Sequence, residues 1–196
     1  MSTIPSILHQ IGRDELIPRH LEGFCRSWKA LNPDLKVIYW TDKSLRKFIV
    51  DQASSFLPLF DGYTKGVCRA DLGRYLLLKH YGGIYADLDC QCLRPLGPLL
   101  EERELVIATE PAIHQLQKNV IQRDLKRIIG NSFMASRPHH PFWSDVLSSL
   151  KEDAPSSIQN SDDVLDATGP FLLSRVVDSL PRYQRHLVPE DLINPF

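Results

Sequence analysis

The chain has 196 residues, of which 43% are hydrophobic and 24% charged, and its formal net charge is −1. That length and apolar share suit one well-buried domain and exclude a disordered or fibrous chain. The near-neutral balance supplies no global electrostatic argument for nucleic acid or for an anionic membrane.

No run of eighteen apolar residues occurs, and Met1-Ser2-Thr3-Ile4-Pro5 has neither the basic nor the apolar region of a signal peptide. A cytoplasmic location is therefore the default expectation, with no transmembrane segment. Four scattered cysteines, Cys25, Cys68, Cys90 and Cys92, make no disulfide framework. Cys90-x-Cys92 lacks the C-x-x-C spacing of zinc and redox sites, so reduced thiols are expected.

In chain order, Ser6–Ile11 is a short apolar run before Gly12, which predicts a first buried strand. From Pro18 to Leu31 the residues Leu21, Phe24, Cys25, Trp28 and Leu31 recur at helical spacing, and Asn32-Pro33 ends the run. Trp28 lies on that apolar stripe and is expected in the core. Lys36–Trp40 reads as a second strand, after which Thr41 or Asp42 can cap a helix through Ile49.

Lys65–Tyr81 is the longest helical stretch, closed by Gly82-Gly83, where a residue without Cβ can take the left-handed conformation that ends helices. Directly afterwards, Ile84–Leu88 is strand-like and leads into carboxylates. Leu105–Thr109 and Ser132–Ala135 read as further strands, Pro141–Leu150 and Phe171–Leu180 as helices, and Glu152–Asp163 as an exposed loop. This alternation predicts an α/β sandwich around one largely parallel sheet, without internal repeats.

Asp87 and Asp89 are two residues apart at the carboxyl end of a predicted strand, which is where open α/β sheets bind their ligands. A turn there can swing both carboxylates to one side and make a hard oxygen site for Mg²⁺ or Mn²⁺. A cation so held can neutralise the charge that develops on a departing diphosphate. Upstream, Asp71 and Arg74 share one helix face. They are either a helix-stabilising ion pair or a carboxylate and a guanidinium fork offered to sugar and phosphate oxygens.

The run from Arg69 through Asp71, Arg74, Gly82-Gly83, Tyr85 and Asp87 to Asp89 resembles the signature of the DxD sugar-binding glycosyltransferases. That family includes the yeast initiating α-1,6-mannosyltransferase, the inositol-phosphorylceramide mannosyltransferases and capsular sugar transferases. The glucosylating domains of the large clostridial toxins resemble it more distantly. Ile4–Ile11 and the stretch Asn32–Asp42 resemble the family's first two strands, and Asn131–Ser136, Pro138–Pro141 and Thr168-Gly169-Pro170 resemble later landmarks.

The resemblance implies a GT-A nucleotide-diphospho-sugar transferase fold, a single Rossmann-like sheet with flanking helices, over residues 1–196 as one domain. It implies a UDP- or GDP-sugar donor, Mn²⁺ or Mg²⁺, and retaining transfer of a hexose to a hydroxyl of a glycan, lipid or protein. It places His9, Gln10 and Ile11 along the nucleotide, and Asp71, Arg74, Tyr85, Asp87 and Asn131 around the substrate. Asp71, Arg74 and Asp87 are then the catalytic group, and Asp87 and Asp89 the metal ligands.

Two departures stand out. Gly12 replaces the tryptophan expected after His-Gln-Ile, so an aromatic wall is expected to be missing. The family's later segment, with a His-rich motif and a Ser-Trp pair, is also expected to be absent, with His186 a candidate substitute and His139 and His140 read as turn residues. A catalytically silent nucleotide-sugar-binding module is accordingly the alternative. A haloacid-dehalogenase type phosphatase fits poorly, because its aspartates belong on the first strand.

Overall fold

The computed structural model describes residues 3–115, 118–152 and 158–188. The first half runs β1 (Ile7–Ile11), α1 (Glu22–Leu31), β2 (Lys36–Trp40), α2 (Asp42–Gln52), α3 (Leu57–Gly62), α4 (Gly66–Tyr81), β3 (Gly83–Ala86) and α5 (Gly97–Leu100). The second runs β4 (Leu105–Ala108), α6 (Ala112–Gln115), α7 (Lys118–Ile121), β5 (Phe133–Ser136), α8 (Pro141–Glu152), α9 (Ser161–Ala167), α10 (Pro170–Ser179) and β6 (Leu187–Val188).

The strands form one sheet in the order β2-β1-β3-β5-β4-β6. β1 lies parallel to β2 and β3, and β4 parallel to β6, but β5 runs antiparallel to both β3 and β4. The sheet is therefore mixed, which corrects the expectation of a largely parallel one. All four residues of β5 are buried, and a strand buried on both faces carries no sign of its direction in its hydrophobic pattern.

Successive residues of each strand feed opposite cores, as the two-residue period requires. Leu8, Ile84, Ala86, Val106 and Ala135 face Trp28 of α1, whereas Tyr85, Ile107 and Met134 face α2, α4, α8 and α10. Trp28 is thus a core residue, stacked on Phe133 with centroids 5.8 Å apart.

α4 is buried almost all round, from Cys68 to Leu78, the pattern of a helix enclosed by protein instead of lying on its surface. It stops at Gly82, whose φ of 63° and close approach to Pro138 leave no room for a Cβ. Thr41 caps α2 by accepting from the Ser44 amide, with Ser44 reciprocating. Within the predicted loop Glu152–Asp163, residues 153–157 lie outside the described residues, and α9 already begins at Ser161. Asn160 and Asp163 form a capping box there, a start signal hidden by the polar composition of the segment. Among the described residues no helix is long and apolar enough to cross a membrane.

Candidate functional site

β3 ends at Ala86, one residue before Asp87, and the chain then turns. The Asp87 amide donates to the Ser132 carbonyl at 2.8 Å, and the Cys90 amide donates back to the Asp87 carbonyl at 3.0 Å. This turn leaves Asp89 exposed and the Asp87 side chain 31% exposed. α1 holds the far side: Trp28 Nε1 donates to the Cys90 carbonyl at 2.9 Å, and Ser27 Oγ accepts from the Cys92 amide at 2.8 Å.

Behind the turn lies a buried polar network. Arg74 Nη2 stands 3.1 Å from Asp71 Oδ1 and 3.3 Å from Asp87 Oδ1, with the Arg74 and Asp71 side chains only 5% and 3% exposed. Its Nη1 donates to the Asn131 carbonyl at 2.7 Å, and its guanidinium lies 4.4 Å over the Tyr85 ring. The Tyr85 hydroxyl donates to Asp87 Oδ1 at 2.6 Å. Burial holds that phenol well above its ordinary pKa, so it stays a donor.

Asp71 is clasped on every side. Asn131 Nδ2 donates to its Oδ1 at 3.0 Å and Thr168 Oγ1 to its Oδ2 at 2.7 Å, while the Thr168 carbonyl accepts from the Tyr75 hydroxyl at 2.7 Å. Burial pushes the Asp71 carboxyl up to about 6 against the pull of Arg74. Burial also works against the Arg74 charge, but Asp87, Tyr85 and Asp71 more than offset it and hold Arg74 above its ordinary value.

Arg74 thus pairs with Asp71 along α4 and reaches Asp87 as well. Asp71, Arg74, Tyr85, Asp87 and Asn131 come together as one cluster with Asp89 at its rim. Thr168, within the Thr168-Gly169-Pro170 landmark, and Tyr75, on the apolar run of α4, complete it.

His9, Gln10 and Ile11 are placed otherwise. All three side chains are buried. Trp40 Nε1 donates to His9 Nδ1 at 3.2 Å, so Nε2 carries the proton toward the Gly82 carbonyl at 3.1 Å. Burial lowers the His9 pKa to about 4 and keeps it neutral. Trp40 itself joins His9, Phe48 and Tyr81 in an aromatic layer. Gln10 is wholly buried, its side chain against the Cys25 thiol.

At Gly12 the phenol of Tyr39 occupies the space a side chain would need, and its hydroxyl donates to the Asp14 carbonyl at 2.8 Å. An aromatic ring therefore does stand at this position, contributed by β2. His186 does not reach the carboxylates. It packs on His140, centroids 5.3 Å apart, beyond Ser136, which pairs with Gly83 at the amino end of β3. His139 sits in a turn with φ 55°, and His140 beside it is buried.

Asp87 and Asp89 suit a hard divalent cation. Among the described residues no third histidine, cysteine or carboxylate joins them in a metal-holding group, so other ligands would come from water and phosphate, as Mg²⁺ prefers. Burial pushes the adjacent Cys90 thiol up to about 12, and its Sγ donates to the Ser132 carbonyl at 3.7 Å.

Residues 18–106 match the family described as the glycosyltransferase sugar-binding region containing the DXD motif. The uncharacterized glycosyltransferase L373 of Acanthamoeba polyphaga mimivirus is 30% identical over 194 residues, covering 96% of this chain and 69% of that protein. The chain belongs to the DXD glycosyltransferases. Inositol phosphoceramide mannosyltransferase 2 of Schizosaccharomyces pombe is another relative, 35% identical over 184 residues, with 94% of this chain and 48% of that protein covered. The chain spans about half the length of this and similar curated relatives. The UDP-bound glycosyltransferase domain of the YGT toxin shares the fold of this DXD glycosyltransferase, with a TM-score of 0.53 at 9% identity over 95% of this chain and 79% of that one.

Proposed function

We propose that the protein transfers a hexose from a UDP- or GDP-sugar to a hydroxyl, with retention at the anomeric carbon, on a site built around Asp87 and Asp89. The observation that carries this reading is the Asp87–Cys90 turn at the carboxyl end of β3, with one carboxylate oxygen fixed from behind and the rest of the pair open. The names of relatives such as inositol phosphoceramide mannosyltransferase 2 favour mannose as the sugar and a lipid as the acceptor.

Asp87 and Asp89 would hold Mn²⁺ or Mg²⁺, which when bound neutralises the charge gathering on the leaving diphosphate. The chain's own contribution is preorganisation. Tyr85 and Arg74 commit Asp87 Oδ1, so Oδ2 is presented in one orientation and no rearrangement is needed during reaction. Asp71, Asn131 and Thr168 fix Arg74 and act as positioning residues. Tyr39, laid over Gly12 at the ends of β1 and β2, offers a ring on which a base can stack.

Asp89→Asn tests the reading, because it alters an exposed oxygen and leaves the buried network intact. Donor turnover is expected to fall at least about a hundredfold, the scale of several kcal/mol of metal assistance, with unchanged thermal stability. Calorimetry with UDP-glucose and GDP-mannose, with Mn²⁺ and with chelator, separates the alternatives. Binding that needs both metal and Asp89, with sugar release, is the expected result. Binding without release would reduce the protein to a donor-binding module, and binding of neither donor would overturn the site.

A further inference from the structure

A cavity of about 610 Å³ lies between α1 and the edge strand β2, away from the buried network. Its apolar walls are Ile17, Leu35 and Val37. Three cations, Arg26, Lys29 and Lys36, stand around it against the single carboxylate of Glu22. Glu22 engages Arg26 at 3.3 Å, and Lys29 donates to the Leu35 carbonyl at 3.0 Å. Lys36 has no hydrogen bond or ion pair through its side chain among the described residues. Asp14 and Glu15, near Tyr39, are not part of this lining.

Cys25 links the cavity wall to the acidic turn. That residue lines the cavity, and its thiol donates to the Leu88 carbonyl, between the two carboxylates, at 3.7 Å. The wholly buried Gln10 side chain lies against the same thiol. Val37, on the cavity wall, is 40% exposed. Apolar side chains beside unneutralised lysines form the pattern of a surface that meets headgroups and acyl chains together.

We infer that this face docks on a bilayer containing anionic, phosphate-bearing lipid, seating one such headgroup among Arg26, Lys29 and Lys36 with its apolar part against Ile17, Leu35 and Val37. The net charge of −1 conceals the patch, because membrane attraction depends on charges within a Debye length of the surface and not on the total. Docking of this kind goes beyond the transferase reading and stands without it.

The test is co-sedimentation of the full chain with phosphatidylcholine vesicles, with and without phosphatidylinositol, for the wild type, Lys36→Glu, Val37→Asp and Asp89→Asn. Circular dichroism melting verifies that each variant folds. Selective binding to the anionic vesicles is expected, lowered at least about fivefold by Lys36→Glu from the loss of one basic contact. Val37→Asp is expected to weaken it too, whereas Asp89→Asn retains it while losing donor turnover. Equal binding to both vesicle types, or unaltered binding of folded Lys36→Glu and Val37→Asp, overturns the proposal. Complete displacement by millimolar glycerol phosphate also overturns it, because the groove would then be a site for soluble anions.

Discussion

The two carboxylates closest to Arg74 live in opposite worlds. Asp71 is sealed in the interior, with both oxygens bonded to Asn131, Thr168 and Arg74. Asp87, on the other side of the same guanidinium, surrenders one oxygen to Tyr85 and Arg74 and keeps the remainder at the surface. The comparison teaches that burial and availability are divided between residues. The charge buried at Asp71 stabilises an arginine, and that arginine fixes the orientation of a carboxylate that remains free to bind.

Removing the shared guanidinium breaks the comparison most severely. Arg74→Ala leaves Asp71 buried without a counter-charge, and a loss of about 3–5 kcal/mol is expected in denaturant unfolding. Arg74→Lys is expected to recover part of that stability but not turnover, since an ammonium cannot span Asp71, Asp87 and the Asn131 carbonyl at once. Full recovery of turnover by lysine would show that the fork geometry is irrelevant.

Acidification probes the interior side through its histidines. His9 and His140 are buried neutral, each lowered from 6.5 to about 4. Between those values the unfolded chain binds more protons than the folded one, so stability is lost as pH falls from about 6.5 to 4. Each histidine contributes a slope of about 1.4 kcal/mol per pH unit. Asp71, raised to about 6, opposes this, because its folded form takes up protons more readily. His140→Gln should therefore reduce the slope measured by pH-dependent denaturation, and an unchanged slope would contradict its buried neutral state.

The smallest effect isolates a single bond of the clasp. Thr168→Val removes the hydroxyl that donates to Asp71 Oδ2 while keeping the shape. A loss of about 1–3 kcal/mol is expected for the acceptor left unsatisfied, with little change in donor affinity. A large fall in affinity at unaltered stability would instead place Thr168 against the donor.

What could be read without coordinates was local. The α2 cap at Thr41, the strand Lys36–Trp40, the arrest of the long helix at Gly82 and the placement of Asp87 just past a strand all depend on neighbours a few residues away. The DxD pair and its supporting Asp71 and Arg74 were legible for the same reason, lying within one helix and the strand after it. What escaped rests on distant partners. Asp71 meets Asn131 across 60 positions and Thr168 across 97, and the antiparallel entry of β5 is decided by what lies on each side of it. His9 shows the same limit: a polar residue on a strand near the site turned inward because Trp40 and Gly82 offered it bonds.

The hold of α1 on the Asp87–Cys90 turn has a consequence for the order in which the molecule assembles. Trp28 reaches Cys90 across 62 positions and Ser27 reaches Cys92 across 65, so the turn cannot take its final shape until the amino-terminal quarter of the chain has docked. Such long loops close late, because their entropy is lost before their contacts form. The acidic turn should thus be among the last features to mature during folding, and the indole of Trp28, bonded to its backbone, is a fluorescent witness placed to record that moment.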